Sequence, residues 1–279
     1  MSHILPKAPV IGESRDRRLL ERASSYIYSR TPHGDLTAHV FEPEAPAAGP
    51  RPVVVFFHGG LWDAFMPTQF APQCHHLTTR GAVAAIVETR VSSKHGTSPV
   101  EAVEDAREAI RWLRLQAAVL QIDPIRVTAA GAAGGATLAL LTAMPTDKAL
   151  PPVDGVSCRP QALALFSAVV NTRGTAEVAG RFPDKRSAKA LNPSSLVRSK
   201  LPPMILFHGK ADPIAPFDEV KRFRRRLRWR RNVCELAAFD QAGHSFFNFN
   251  VNHEYFEVTT AALCRFLTAH GLLDPAEPG

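Results

Sequence analysis

The sequence is poor in cysteine. Its four cysteines, Cys74, Cys158, Cys234 and Cys264, lack the paired spacing of a disulfide framework or a zinc site. We therefore expect no metal and a reducing compartment. Residues 1–18 lack the apolar run of a signal peptide, and no uncharged stretch is long enough to span a bilayer. These absences predict a cytoplasmic protein without a membrane partner.

Other absences bear on domain organisation and cofactors. No Gly/Ser-rich linker, low-complexity tract or internal repeat divides the 279 residues, so we predict a single domain over 1–279. With 45% hydrophobic residues the chain can bury one large core. The Lys-Ser/Thr end of a phosphate-binding loop is missing, and so is the G-x-G-x-x-G pattern of dinucleotide folds. No cofactor is implied.

Positive charge is present in excess, but it is concentrated in one place. The net charge is +7, and residues 221–231, KRFRRRLRWRR, hold eight basic and no acidic side chains, so the rest of the chain is close to neutral. Val220, Phe223 and Leu227 recur at helical spacing, which predicts a surface helix with its arginines in water. The alternative is an anion-binding patch that includes Trp229. A nucleic-acid partner is not expected, because the basicity is local.

Short apolar runs alternate with helical patterns along the chain. The predicted strands are 24–30, 36–43, 52–60, 81–89, 125–131, 162–170, 202–209 and 232–239. The predicted helices are 101–120, the run after Gly135, the basic segment and 254–270. The first two strands flank a turn and predict a hairpin. The later alternation predicts an α/β domain with a mainly parallel sheet, whose site lies at the carboxyl ends of the strands.

Four motifs follow predicted strands. They are His58-Gly59-Gly60-Leu61-Trp62, the glycine turn at 131–135, Asp212 in FHGKADPIAPF, and His244 in AGHSFF. Together, and in this order, they resemble the α/β-hydrolase fold, specifically the small esterases with an HGG oxyanion motif. The resemblance covers nearly the whole chain. It implies a mostly parallel eight-stranded sheet with helices on both faces.

The resemblance also implies roles for individual residues. His244 would act as general base and acid, and Asp212 would hold its Nδ1 proton. Backbone N–H groups of Gly60, Leu61 and Gly134 would stabilise the negative charge of a tetrahedral intermediate. Leu61 stands where many such esterases have a third glycine. This departure keeps the N–H but adds a side chain beside the pocket.

Ala133 occupies the nucleophile position, because the family pattern G-x-S-x-G here reads G-x-A-x-G. Without a hydroxyl there is nothing for a histidine to deprotonate, and no acyl-enzyme can form. The chain as given is therefore expected to be close to inactive. Three explanations stay open: a deliberate replacement of serine, a natural pseudoenzyme, or a different alignment. In the last case the nearest hydroxyls at strand ends belong to Ser92, Ser93 and Ser167.

Further expectations concern the surroundings of the site. Trp62, Asp63 and Phe65 follow the oxyanion motif and either line the substrate pocket or pack inside the protein. Segment 171–200 is long, polar and basic between two strands, so it is a candidate lid. Glu88 and Arg90 are expected to form a structural ion pair.

The function predicted from the sequence is hydrolysis of a short-acyl carboxylic ester. Acetylated sugars and simple alkyl or aryl esters are both candidates. The alternative is a pseudoenzyme that binds a ligand or an anion.

Overall fold

One eight-stranded sheet organises the molecule. The computed structural model describes residues 11–46, 49–145 and 153–275. The strands are β1 (Ala23–Thr31), β2 (Gly34–Phe41), β3 (Arg51–Phe57), β4 (Val83–Val87), β5 (Ile122–Ala132), β6 (Ala162–Phe166), β7 (Met204–Gly209) and β8 (Cys234–Phe239). They lie in the order β1-β2-β4-β3-β5-β6-β7-β8. Each corresponds to one of the predicted strands.

The sheet is antiparallel at one edge and parallel elsewhere. The pairs β1–β2 and β2–β4 are antiparallel, and every pair from β4–β3 to β7–β8 is parallel. The hairpin turn leads into β2 at Gly34, whose φ of 118° favours glycine. The predicted α/β-hydrolase architecture, with its mostly parallel eight-stranded sheet, is therefore confirmed.

Helices connect the parallel strands. They are α1 (Ile11–Leu20), α2 (Ala71–Thr79), α3 (Ser92–His95), α4 (Pro99–Leu115), α5 (Gly134–Ala143), α6 (Ala176–Ala179), α7 (Lys185–Ala190), α8 (Phe217–Trp229) and α9 (His253–Ala269), with a 3-10 turn at Pro193–Ser195. The four predicted helices are α4, α5, α8 and α9, although α4 ends five residues earlier than predicted. Within the ranges described, no helix is long and apolar enough to cross a membrane.

Both faces of the sheet are covered, because alternate residues of each strand face opposite sides. In β3, Val53, Val55 and Phe57 belong to a core that includes residues of α4, α5 and α8. Val54 and Phe56 belong to a second core that includes residues of α2 and α9. The central strands are buried on both sides, which explains their continuous apolar runs.

The basic segment forms the surface helix that was predicted. In α8, Val220, Phe223 and Leu227 are buried, whereas the basic side chains of 221–231 are exposed except for the half-buried Arg224. Trp229 is also exposed. The apolar stripe therefore attaches α8 to the sheet, and its arginines face solvent.

The ion pairs after β4 differ from the expectation. Arg90 pairs with Asp105 of α4, with Nη2 and Oδ1 2.6 Å apart, and not with Glu88. The Glu88 carboxylate lies 3.5 Å from His39 Nε2 and 3.8 Å from Lys94 Nζ. Residues 88–90 lie beyond the end of β4, so the regular alternation of a strand does not set where these two side chains point, and each meets its own neighbours.

Candidate active site

The turn between β5 and α5 presents Ala133 in an unusual backbone conformation. Its φ is 49° and its ψ is −113°, a combination that non-glycine residues rarely adopt. Such a conformation costs on the order of 1–3 kcal/mol and persists only where the surrounding structure enforces it. Ala133 N donates to Phe166 O of β6, and Ala133 O accepts from Val169 N, so both sides of the residue are held.

Close main-chain contacts explain the glycines on either side of Ala133. A Cβ atom on Gly131 would lie 2.4 Å from the carbonyl oxygen of Gly135. A Cβ atom on Gly135 would lie 2.2 Å from the carbonyl oxygen of Phe57 at the end of β3. Cβ atoms in proteins essentially never come this close to an oxygen atom, so a side chain at either position would force the main chain to move. The first turn of α5 thus lies directly against β3 and β5. This contact holds Ala133 just beyond the carboxyl-terminal end of β5.

Asp212 and His244 form a hydrogen-bonded pair. His244 Nδ1 lies 2.7 Å from Asp212 Oδ2 and 2.9 Å from Oδ1. Asp212 is buried after β7, and its Oδ1 also accepts from the N–H groups of Ile214 and Ala215, each at 2.9 Å. A carboxylate only accepts, so the proton of neutral His244 lies on Nδ1. His244 Nε2 is left with its lone pair free to accept a proton.

A second histidine, His208, contacts the same carboxylate. Its Nε2 lies 3.5 Å from Asp212 Oδ2 and 2.7 Å from Ala215 O, which accepts its proton. Burial lowers the pKa of His208, which favours the neutral ring. His208 was not predicted as a site residue, although it ends the FHG sequence of β7. The Nε2 proton of His208 is donated to the carbonyl oxygen of Ala215 and not to Asp212. His244 is therefore the histidine that donates to the Asp212 carboxylate.

The HGG loop has a left-handed backbone at three successive residues. The φ angles are 87° at Gly60, 49° at Leu61 and 59° at Trp62. A Cβ atom on Gly60 would lie 2.5 Å from Ala64 O, so this position requires glycine. The N–H groups of Gly60, Leu61 and Gly134 donate no hydrogen bond within the described part of the chain. These three N–H groups therefore have no acceptor among the described residues.

A cavity of about 290 Å³ joins these elements. Four of the predicted residues line it, namely Gly60, Leu61, Ala133 and His244. Asp212 does not line it and lies behind His244. Gly134 is also outside the lining, because Trp62 covers it: a Cβ atom on Gly134 would lie 2.9 Å from the indole.

Of the three residues expected either to line the pocket or to pack, Asp63 lines this cavity, whereas Trp62 and Phe65 do not and are held by packing contacts. Trp62 is buried, with its ring 5.3 Å from that of Phe182 in an edge-to-face arrangement. Phe65 has Lys94 Nζ 3.8 Å above its ring. The positive φ angles at Gly60, Leu61 and Trp62 turn the backbone, so strand-like alternation does not predict the directions of the side chains that follow. The apolar wall of the cavity is instead supplied by other residues, including Met66, Ile214 and Phe247.

The alternative hydroxyls are not among the residues that line the cavity. Ser92 and Ser93 are exposed, and Ser93 Oγ donates to Asp63 O. Ser167 is completely buried at the end of β6. Ser245 does line the cavity, next to His244, and was not singled out from the sequence. Of the candidate nucleophile positions, Ala133 is therefore the one that lines the same cavity as His244, and it lies at the strained turn.

The candidate lid borders the cavity. Segment 171–200 contains α6, α7 and the 3-10 turn, and its residues Glu177 and Arg181 are part of the cavity wall. Arg181 Nη1 lies 2.7 Å from Asp63 Oδ2, just after the HGG loop. Arg181 was missed in the sequence because nothing in its local pattern indicates this contact.

Comparison with known proteins places the chain among esterases. The BD-FAE family matches residues 39–181, and the dienelactone hydrolase family matches residues 158–268. Esterase LipQ of Mycobacterium tuberculosis is 29% identical over 196 residues, which are 63% of this chain and 46% of that protein. Carboxylesterase NlhH of the same species is 33% identical over 105 residues, 37% of this chain and 32% of that one. The chain thus spans less than half the length of these curated relatives.

Solved structures agree over nearly the whole chain. The native esterase 2 of Thermogutta terrifontis has a TM-score of 0.84 at 33% identity, covering 93% of this chain and 96% of that one. Its propionate-bound form gives 0.83 at 34% identity, with coverage of 92% and 97%. The form phosphorylated by paraoxon gives 0.84 at 34%, again with coverage of 92% and 97%. With the family match extending over more than half of its residues, the chain belongs to the BD-FAE family and has the α/β-hydrolase fold of an esterase.

Proposed function

We propose that this site is that of a carboxylic ester hydrolase with a Ser-His-Asp triad, present here in an inactive form because Ala133 holds the nucleophile position. One observation carries the proposal. Ala133, at a strained strand-to-helix turn, lines the same cavity as His244, whose Nδ1 is bonded to the buried Asp212. Family membership supports the same chemistry.

The mechanism follows from these positions once a serine stands at position 133. His244 Nε2 takes the hydroxyl proton while the oxygen bonds to the ester carbonyl carbon. The carbonyl oxygen becomes negative and accepts hydrogen bonds from the N–H groups of Gly60, Leu61 and Gly134. The protonated His244, stabilised by Asp212, then gives its proton to the departing alcohol. Water, deprotonated by His244, releases the acid from the acyl-enzyme.

The methyl group of Ala133 stops this sequence at its first step. Loss of a triad nucleophile lowers turnover by on the order of 10⁶, and the residual rate comes from binding and oxyanion donors. Replacement of a serine is supported by the completeness of the remaining site. A different alignment is disfavoured, because Ser92, Ser93 and Ser167 do not line the cavity.

The substrate class proposed is a short-acyl ester. A cavity of about 290 Å³ suits a small acyl group, and the Thermogutta terrifontis esterase has been solved with propionate and with butyrate bound. Acetylated sugars and simple alkyl or aryl esters both fall within this class.

A second candidate is a pseudoenzyme that binds a ligand without turning it over. The observation that favours it is Ala133 itself, since the chain as given has a formed cavity and no nucleophile. In that case the cavity would hold a carboxylic acid or ester reversibly.

Restoring the hydroxyl distinguishes the two candidates. We expect the Ala133→Ser protein to hydrolyse p-nitrophenyl acetate at least roughly 10³-fold faster than the parent chain, because the base and oxyanion donors are already in place. Ala132→Ser is the matched control, since Ala132 lines the same cavity but lies within β5. Paraoxon should add a phosphoryl group at position 133 only in the first variant, as read by peptide mass spectrometry. Equal rates in the parent chain and both variants would favour the pseudoenzyme.

A further inference from the structure

Gln69 connects the two loops that carry the oxyanion donors and the histidine. Its Oε1 accepts the N–H of Gly59 at 2.6 Å, and its Nε2 donates to Asn248 Oδ1 at 3.1 Å. Gly59 directly precedes Gly60 in the HGG loop, and Asn248 lies four residues after His244. One amide side chain therefore joins the two loops, and Gln69 itself precedes Asn248 by 179 residues in the sequence.

The hydrogen-bonding partners define which way the Gln69 amide faces. A backbone N–H can only donate, so the carbonyl oxygen of Gln69 must face Gly59. The NH₂ group then faces Asn248, where it meets the amide oxygen. A Cβ atom on Gly59 would lie 3.2 Å from Gln69 Oε1, which shows how closely the amide lies against the loop. Glutamine supplies an acceptor and a donor at the two ends of one planar group, and leucine of similar shape supplies neither.

At its far end the connection reaches the turn that contains His244. Asn248 N donates to Ser245 O at 3.1 Å, and Asn248 O accepts from the N–H groups of Val251 and Asn252. Asn252 is the N-cap of α9 and accepts from Tyr255 N. Asn248 is thus fixed to both the histidine loop and α9, which makes it a firm support for Gln69.

We propose that Gln69 is a positioning residue that sets the separation between the oxyanion donors of the HGG loop and the imidazole of His244. The inference rests on the proposed hydrolase function. Gln69 and Asn248 both line the cavity, next to the groups that they hold. Oxyanion donors act only when they lie within about 2.7–3.1 Å of the developing charge, so a small shift of the loop removes their effect.

Kinetics in the Ala133→Ser background test this role. We expect Gln69→Leu to lower kcat by roughly 10- to 100-fold, because misplacement by about 1 Å has effects of this size. KM should change by less than about twofold, since the transition state is affected more than the bound ester. The rate is to be expressed per active site, with sites counted by paraoxon labelling carried to completion.

Gln73→Leu is the matched control. Gln73 is buried in α2, four residues after Gln69, and its side-chain atoms have no hydrogen-bond partner within the described residues. It does not line the cavity. The same substitution there should leave kcat per site unchanged. If Gln69→Leu loses sites or melting temperature but keeps its kcat per site, the role is merely structural and the inference is overturned.

Asn248→Ala cuts the same connection at its other end and leaves the bond from Gly59 intact. We expect a fall in kcat in the same direction, and the double variant should lose no more than Gln69→Leu alone. If the fold-losses in kcat of the two single variants multiply in the double variant, the two residues act independently. That result would contradict a connection through the Gln69–Asn248 hydrogen bond.

Hydrogen exchange in the parent chain separates this inference from the proposed function. Gln69→Leu should speed exchange of the Gly59 N–H, whether or not Ala133→Ser is active, because its acceptor is gone. An inactive Ala133→Ser protein with faster exchange would refute the hydrolase function and keep the connection. Unchanged exchange, or an active Ala133→Ser protein whose kcat is insensitive to Gln69→Leu, would overturn the inference.

Discussion

Asp212 is a buried acidic side chain whose partners are specific. Its side chain is fully buried, and the carboxylate accepts from Ile214 N, Ala215 N and His244 Nδ1. Burying a carboxylate requires such donors, because the lost hydration must be replaced. Two main-chain donors hold the carboxylate still, so its orientation fixes the imidazole.

Replacing Asp212 by asparagine should separate geometry from charge. In the Ala133→Ser background we expect Asp212→Asn to lower kcat by roughly 10⁴-fold, because an amide NH₂ facing Nδ1 favours the wrong imidazole tautomer. Steady-state kinetics with p-nitrophenyl acetate measure the loss. Asp240→Asn, which alters an exposed partner of Lys210, serves as the control. A loss below about tenfold would contradict the role of Asp212.

Some residues of the candidate site could be predicted from the sequence, and others could not. Asp212 and His244 stand in motifs directly after strands, so their positions could be predicted. Gln69 and Arg181 could not, because their partners Asn248 and Asp63 are distant in the sequence. The orientation of Trp62 depends on three left-handed residues in succession, which spacing alone does not indicate.

The junction of β5 and α5 depends on the absence of one side chain. We expect Gly135→Ala to reduce the free energy of unfolding by about 3 kcal/mol or more, because the added methyl group meets the main chain of β3, which cannot move aside. Urea denaturation gives the change. Gly243→Ala is the control, since a Cβ atom there has nothing within 4 Å. Equal stabilities of the two variants would refute the rigid junction.

The Arg181–Asp63 contact is expected to be a weak support for the candidate lid. The two side chains are 33% and 37% exposed, and exposed ion pairs contribute about 0.2–1 kcal/mol. In the Ala133→Ser background, Arg181→Met should therefore lower kcat/KM by less than about fivefold. Measurement with p-nitrophenyl acetate and p-nitrophenyl butyrate tests this. A much larger loss would mean that Arg181 contacts the substrate itself.

Length alone did not decide which elements could be predicted, because α1 and α2, with ten and nine residues, were missed although α5 also has ten. The eight strands and the helices α4, α5, α8 and α9 have enough residues for an apolar pattern to appear. The helices α3, α6 and α7 have four to six residues, too few to show a period. Capping residues were the available signal for α6 and α7, where Thr175 accepts from Val178 N and Asp184 accepts from Ser187 N, whereas α3 has Val91 at its N-cap and no such signal.

Buried histidines should make the whole protein sensitive to acid. Burial lowers the pKa values of His58, His95 and His208 below their ordinary value of 6.5. Below pH 6.5 the unfolded chain gains protons that the folded protein does not, so stability falls with pH until the folded pKa is reached. The slope is up to about 1.4 kcal/mol per pH unit for each histidine.

Urea midpoints at pH 7.5, 6.5 and 5.5 measure this dependence. The urea midpoint should change little between pH 7.5 and 6.5 and should fall between pH 6.5 and 5.5. His208→Gln keeps a donor for Ala215 O but does not titrate, so its decline should be shallower. A midpoint that is constant from pH 7.5 to 5.5 would contradict the burial of neutral histidines.

The strained turn at Ala133 also has a genetic consequence. Every alanine codon becomes a serine codon by a change of its first base, so a single point mutation would introduce the hydroxyl. The neighbouring glycines, the imidazole and the carboxylate need not change with it. On the proposed function, a gene for this protein is therefore one nucleotide away from encoding the serine of the triad, and selection for esterase activity would require no remodelling of the fold.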